Sequence, residues 1–156
     1  MKRITRTILA AALLTGVSLA ASAHEGEHFS AGVPGNPRKP ARAVTVVMSD
    51  GDGDGTMKFT PGHLEVKKGE QIRFVIKNKG SLKHEFMLAS VKDNDKHAEM
   101  MKKFPDMEHD DPNAQSVDPG KTAEILWRFS KTGTFEFACL IPGHREAGMH
   151  GTVTVK

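Results

Sequence analysis

From Arg42 to Lys156, apolar side chains recur at every second position in short runs that glycine-rich turns interrupt, and this period calls for half-buried β-strands. Ile72, Phe74 and Ile76 alternate with Arg73 and Lys77, while Ala123, Ile125, Trp127 and Phe129 share one face. Phe135 with Phe137, and Val153 with Val155, repeat the pattern, and Ala43 to Met48 is rich in β-branched residues. Between the runs stand Asp50-Gly-Asp-Gly-Asp-Gly55, Lys68-Gly69-Glu70, Asn78-Lys-Gly80, Asp118-Pro-Gly120 and Lys131-Thr-Gly133, all of turn-forming composition. Roughly seven or eight antiparallel strands over residues 42–156 predict an all-β Greek-key β-sandwich. One short helical insertion, from Asp93 to about Phe104 within the segment 93–113, breaks the alternation.

Upstream of the strands the composition changes. Residues 24–41 (HEGEHFSAGVPGNPRKPA) hold three prolines and three glycines and predict a flexible or extended arm. Residues 1–23 have the parts of a secretory signal: basic Lys2, Arg3 and Arg6, an apolar run from Ile8 to Ala20, and the small residues Ala21-Ser22-Ala23 before His24. The apolar run is shorter than the ~20 residues a spanning helix needs. The expectation is a soluble, exported chain in a bacterial periplasm, with no membrane span after cleavage. Of the 22 basic residues, three lie in this signal, which leaves 19 against 19 acidic ones. Such a balance provides no footprint for nucleic acid.

An exported chain with one cysteine, Cys139, has no internal disulfide available and carries a thiol into an oxidising compartment. The sequence after it reads Cys139-Leu-Ile-Pro-Gly-His144-Arg-Glu-Ala-Gly-Met149, which spaces a thiolate, an imidazole and a thioether five residues apart on one loop. A second imidazole, His84, opens the apolar run His84-Glu-Phe-Met-Leu88. Two histidines and a cysteine in a trigonal plane, with a long axial methionine, make a type 1 copper site that serves both Cu(I) and Cu(II). Zinc would accept the same donors but leave them redox-silent, and the thioether favours copper. The acidic glycine run is a weaker metal motif: Asp50, Asp52, Asp54 and Gly55 open like a calcium loop, but its twelfth position is Pro61, so a solvated hairpin is expected.

Over Arg42 to Lys156 the sequence resembles the cupredoxins, the plastocyanin and azurin superfamily, above all in the Cys-Pro-Gly-His-Met loop that runs into the final Gly-Thr-Val-Thr-Val strand. The resemblance implies His84, Cys139 and His144 as equatorial copper ligands and Met149 as the axial one. Two departures stand out. The loop is one residue longer between His144 and Met149 than in azurins, and Glu85 follows the first ligand where plastocyanin and azurin carry an Asn that ties the ligand loops together.

Further soft donors lie outside that set. His97, Met100 and Met101 stand at i, i+3 and i+4 on the inserted helix, with Met107 and His109 beyond Phe104-Pro105. They read either as accessory Cu(I) ligands or as the apolar stripe of a docked helix. His24, as a free N-terminal residue, and His28 supply nitrogen donors suited to Cu(II). Together these segments resemble bacterial periplasmic cupredoxins of copper tolerance, which implies copper capture and homeostasis with Cu(I) binding and, as its enzymatic form, cuprous oxidase activity; a monomer with an unidentified periplasmic redox partner as acceptor is expected. The alternatives are a plain one-electron carrier or a copper chaperone. A cysteine hydrolase lacks a substrate-cleft pattern.

Overall fold

The computed structural model describes residues 29–51, 53–105, 107 and 111–156. The signal at 1–23, His24, His28, Asp52 and His109 therefore lie outside the described residues. Ten strands and one helix follow in order: β1 (Val33–Pro34), β2 (Arg42–Ser49), β3 (Lys58–Thr60), β4 (His63–Val66), β5 (Gln71–Asn78), β6 (His84–Ala89), α1 (Val91–Met101), β7 (Ala114–Val117), β8 (Thr122–Arg128), β9 (Gly133–Ala138) and β10 (His150–Val155). They form two five-stranded sheets, ordered β1-β8-β5-β2-β3 and β4-β10-β9-β6-β7.

The sandwich is the expected one, with two differences in detail. Pairing is antiparallel except for β2 with β5 and β4 with β10, which run parallel. Side-chain alternation reports which face is buried and carries no information on the direction of the neighbour, so these two pairs escape a reading of period alone. The strand count is also higher, because β1 and β3 are two and three residues long and fall below the length at which alternation is visible.

The alternating residues form the core. Ile72, Phe74, Ile76, Ile125, Trp127, Phe129, Phe137 and Val153 are all buried. Phe86 of β6 stacks on Phe137 of β9 at 5.3 Å, and Phe59 meets both rings edge-on at 5.8 and 5.3 Å. Aromatic contacts of this kind add to the burial of their area. Gly151 of β10 lies under the Phe137 ring, where a Cβ would overlap ring carbons.

The segment expected as an arm is anchored from Phe29 onward. Phe29 meets Trp127 edge-on at 5.3 Å, Ala31 is buried, and Val33 and Pro34 pair with Arg128 and Trp127 of β8. Gln71 then accepts from the Asn36 backbone at 2.6 Å and donates to the Asn36 carbonyl at 3.0 Å.

The helix begins two residues before the expected Asp93. Ser90 caps it, its Oγ accepting from the Asp93 backbone N–H at 3.2 Å and donating to the Asp93 carboxylate at 2.8 Å. Asn94, buried, donates to Glu136 Oε2 of β9 at 2.9 Å, and Met101 is buried about two turns further along. The helix thus lies over the outer face of β6 and β9, against a small second core of Met101, Ala138 and Leu140.

Candidate metal centre

His84 stands at the first position of β6, delivered by the turn after β5. Asn78 shapes that turn: its amide donates to the carbonyls of Leu82 (2.7 Å) and Val117 (2.8 Å), and its oxygen accepts from Gly80 N–H (2.9 Å). Cys139 follows the last residue of β9, and Met149 precedes the first residue of β10. Because β9 and β10 pair with His150 opposite Ala138, the intervening residues must close as a loop at one end of the sandwich. That loop is held by its own backbone: Cys139 N–H donates to Met149 C=O, Met149 N–H to His144 C=O, and His144 N–H to Ile141 C=O, each at 3.0 Å. Gly143, at φ 89°, supplies a left-handed turn that a side-chain-bearing residue adopts only with strain.

This geometry brings three of the expected donors together. One ligand atom each from His84, Cys139 and His144 lies within 4.8 Å of the others. His84 Nδ1 is 3.1 Å from His144 Nδ1, which in turn is 3.3 Å from Cys139 Sγ. Two nitrogens bound at about 2.0–2.1 Å to one small transition-metal ion stand roughly 3.0–3.6 Å apart, so the spacing fits such an ion. A thiolate with two imidazoles is a soft, mixed donor set suited to copper in both oxidation states. Met149 is fully buried in the same core cluster as Cys139, on the loop that carries Cys139 and His144.

The far side of His84 is occupied by a carboxylate. Its Nε2 bonds Asp50 Oδ1, while Asp50 Oδ2 accepts from Ser81 N–H, Ser81 Oγ (2.8 Å) and Leu82 N–H (3.2 Å). Asp50 directly follows β2 of one sheet and His84 begins β6 in the other, so the bond spans the mouth of the sandwich. A proton held on Nε2 leaves Nδ1 as a lone pair facing the other donors. Partial burial pushes the Asp50 carboxyl up, but the bonds from His84 and Ser81 outweigh this and hold it at about 2. Gly80 is required here, since a Cβ would overlap the Asp50 carboxylate. The acidic glycine run thus serves the histidine through Asp50, while Asp54 is engaged with Thr56 in the turn that joins the antiparallel β2 and β3.

Burial pushes the Cys139 thiol up to about 12, against the opposing hydrogen bonds from the backbone at Glu85 and Ile141. A thiol held this high is a poor nucleophile, whereas a metal ion deprotonates it outright. Glu85 takes the tying role that Asn has in plastocyanin and azurin. Its N–H donates to Cys139 Sγ at 3.3 Å, and its Oε2 accepts from Leu140 N–H at 3.3 Å. Burial raises the Glu85 carboxyl to about 7, with the Leu140 N–H pulling the other way. His144 is the one donor of the four that is only half-buried, and burial together with the nearby His84 lowers its basicity. Arg145, next in the loop, reaches Glu136 of β9 at 2.8 Å and Asp95 of α1 at 2.7 Å, which fastens the loop to both elements.

The accessory donors separate into groups. Met101 is buried with Ala138 and Leu140, and Met87, Ala98, Met107 and Ile141 pack against that group. His97 Nε2 lies 3.9 Å from Glu85 Oε1. Met100, nearly half exposed, is not part of that cluster. His63 bonds Thr152 Oγ1 at 2.7 Å, and His150 faces Glu136, so neither joins the trigonal group. Asp50 and Met87 are the members that sequence reasoning missed. Asp50 lies 34 residues from its partner and offers no local signal, while Met87 reads as one more strand residue.

Comparison with known proteins agrees with this arrangement. Residues 45–156 match the family described as copper binding proteins, plastocyanin/azurin family. The chain is 48% identical over 140 residues to the copper-resistant cuproprotein CopI of Rubrivivax gelatinosus, covering 86% of this chain and 82% of that one. It is 36% identical to the protein of the same name in Pseudomonas aeruginosa, over 96% and 94% of the two chains. Among solved structures, the dithionite-reduced auracyanin of Roseiflexus castenholzii superposes with a TM-score of 0.62 at 20% identity, covering 76% of this chain and 99% of that one, a likeness of fold.

Proposed function

Since the chain belongs to the plastocyanin/azurin family of copper-binding proteins, we propose that it is an exported copper protein of copper tolerance, with His84, Cys139 and His144 as equatorial ligands and Met149 as the axial one. The single observation that carries this reading is the convergence of one thiol and two imidazole Nδ1 atoms at ligand spacing. The tolerance role is supported by CopI relatives that match most of the chain. Residues 1–23 act as the export signal to the periplasm in this reading. No described helix is long and apolar enough to cross a membrane.

Copper held by these residues supplies reversible one-electron chemistry, which oxidation of cuprous ion and simple electron carriage both require. The protein's own contribution is to hold the donors. Asp50 fixes the tautomer and orientation of His84, Glu85 N–H meets the sulfur, and the backbone bonds of the loop set His144 and Met149. Buried His84, Cys139 and Met149 exclude water, so the half-buried His144 ring is the route by which an electron reaches an external acceptor.

That partly accessible ring favours a second reading equally compatible with the centre, a one-electron carrier between periplasmic redox partners. Copper titration of the chain beginning at His24 separates them. The trigonal site requires an intense thiolate-to-Cu(II) absorption band that saturates at one equivalent and is lost in Cys139→Ser. Oxygen-dependent or acceptor-dependent oxidation of added Cu(I), absent from the Cys139→Ser protein, supports tolerance through oxidation. Fast electron exchange with a small redox protein, without turnover of Cu(I), supports the carrier.

A further inference from the structure

Beneath α1, on the outer face of β6 and β9, a second set of donors, three thioethers with an imidazole and a carboxylate, gathers that the trigonal site does not use. Glu85 and Met87 alternate with Phe86 on β6 and therefore point to the same, outer face. The buried side of the helix faces them with Asn94, His97, Ala98 and Met101. His97 is largely buried and its Nε2 stands 3.9 Å from Glu85 Oε1. Met87, Met101 and Met107 pack into one cluster around Ala138 and Leu140. Leu140 joins the two halves, since it belongs to this cluster and its N–H donates to Glu85 Oε2 at 3.3 Å.

We propose that Glu85, His97 and the thioethers of Met87, Met101 and Met107 form a second metal site, specific for a soft monovalent cation, Cu(I), one residue away from the trigonal centre. Thioether and imidazole donors select Cu(I) by softness. Bonds of about 2.0–2.1 Å to nitrogen and oxygen span up to about 4 Å, which the His97 to Glu85 separation matches. Charge makes the same selection. One buried carboxylate neutralises one monovalent ion, whereas a divalent ion in the same apolar pocket leaves a net buried charge of high cost.

Packing alone does not account for the composition. Leucine fills such a core with better-defined rotamers, yet three of the apolar side chains here are methionines, arranged around an imidazole and a carboxylate. The Asn113 amide lies 3.8 Å from Met87 Sδ, an orienting contact that leaves the sulfur a second lone pair. Entry is available over Met107, which lines an open depression with Lys103, Phe104 and Pro105. Glu85 also couples the two sites, because its backbone N–H contacts Cys139 Sγ while its carboxylate faces His97.

The proposal takes copper as the cargo from the proposed function but does not need the trigonal centre to be loaded. Its test is an anaerobic Cu(I) titration of the chain from His24 in competition with a chromophoric Cu(I) chelator. The expected result is two tightly held Cu(I) per chain in the natural protein and one in Cys139→Ser. Met101→Leu, and separately His97→Gln with Met107→Leu, should weaken the second equivalent by about 100-fold while keeping the thiolate-to-Cu(II) band, which also certifies their fold. The second variant changes only partly exposed side chains and stands in should Met101→Leu fail to fold. A single Cu(I) in the natural protein, or a second equivalent unchanged in the folded variants, overturns the site; the latter result places the ion on other donors such as the arm histidines. Absence of the thiolate band from the natural protein sinks the trigonal reading instead, and the Cu(I) count still decides this one.

Discussion

Asp50 accepts a hydrogen bond from Nε2 of His84 across the two sheets, with Ser81 and Leu82 gripping the carboxylate's other oxygen. A formal negative charge behind a metal-binding imidazole raises its basicity and favours the more highly charged metal. Asp50→Asn retains an acceptor oxygen and removes the charge. Its Cu(II) affinity should fall on the order of 10–100-fold and its reduction potential should rise, read by chelator competition and by redox titration followed at the thiolate band. An unchanged potential would show that the carboxylate only braces the loop.

The helix cap carries a pH signature. Bonds from Ser90, and from Ser30 and Lys96, hold the Asp93 carboxyl below the usual range against slight desolvation. A depressed folded-state value means that the cap's contribution is present above the ordinary aspartate range and is lost as pH falls from that range through the lower folded-state value. Ser90→Ala should cost about 1 kcal/mol at neutral pH and flatten the acid limb of the stability profile, measured by urea unfolding of the metal-free chain at pH 6 and pH 3.

Arg145 should control the ligand loop more than the core. Replacement by Lys keeps the charge but not the fork that grips Glu136 and Asp95 together. Arg145→Lys is expected to leave the unfolding midpoint within a few degrees while broadening the thiolate-to-Cu(II) band, with Arg145→Gln broadening it further. Equal spectra for all three proteins would assign the network to helix docking alone.

Gly151 tests the packing behind the site. A methyl group there meets the Phe137 ring and the Gly62 carbonyl, both fixed by β-sheet neighbours. Gly151→Ala should destabilise the chain by about 1–3 kcal/mol, the range for overpacked cores, seen as an earlier urea midpoint at unchanged slope.

Much of this was legible in the residues. Cys139, His144 and Met149 announce themselves because rare donor types fall on one loop, and no arrangement of β9 and β10 separates them. Trp127 and Phe129 sit where their alternation puts them. Asp50 was not legible, since a glycine-rich acidic run has the same composition whether its carboxylates face water or a histidine on the opposite sheet. The role of Glu85 was hidden for a related reason: a backbone N–H bonded to sulfur leaves no mark on side-chain identity. Met87 pairs with Ala138 across strands, and only the docking of α1 onto that pair reveals what surrounds it.

The loop from Cys139 to Met149 is closed by its own backbone hydrogen bonds, with donors already at ligand spacing. Small metal domains that depend on the ion for their structure are denatured by chelators and discarded when empty. Here the shape of the loop is written in peptide groups, so exchanging one donor side chain removes a ligand while the backbone bonds that place its neighbours stay in the chain.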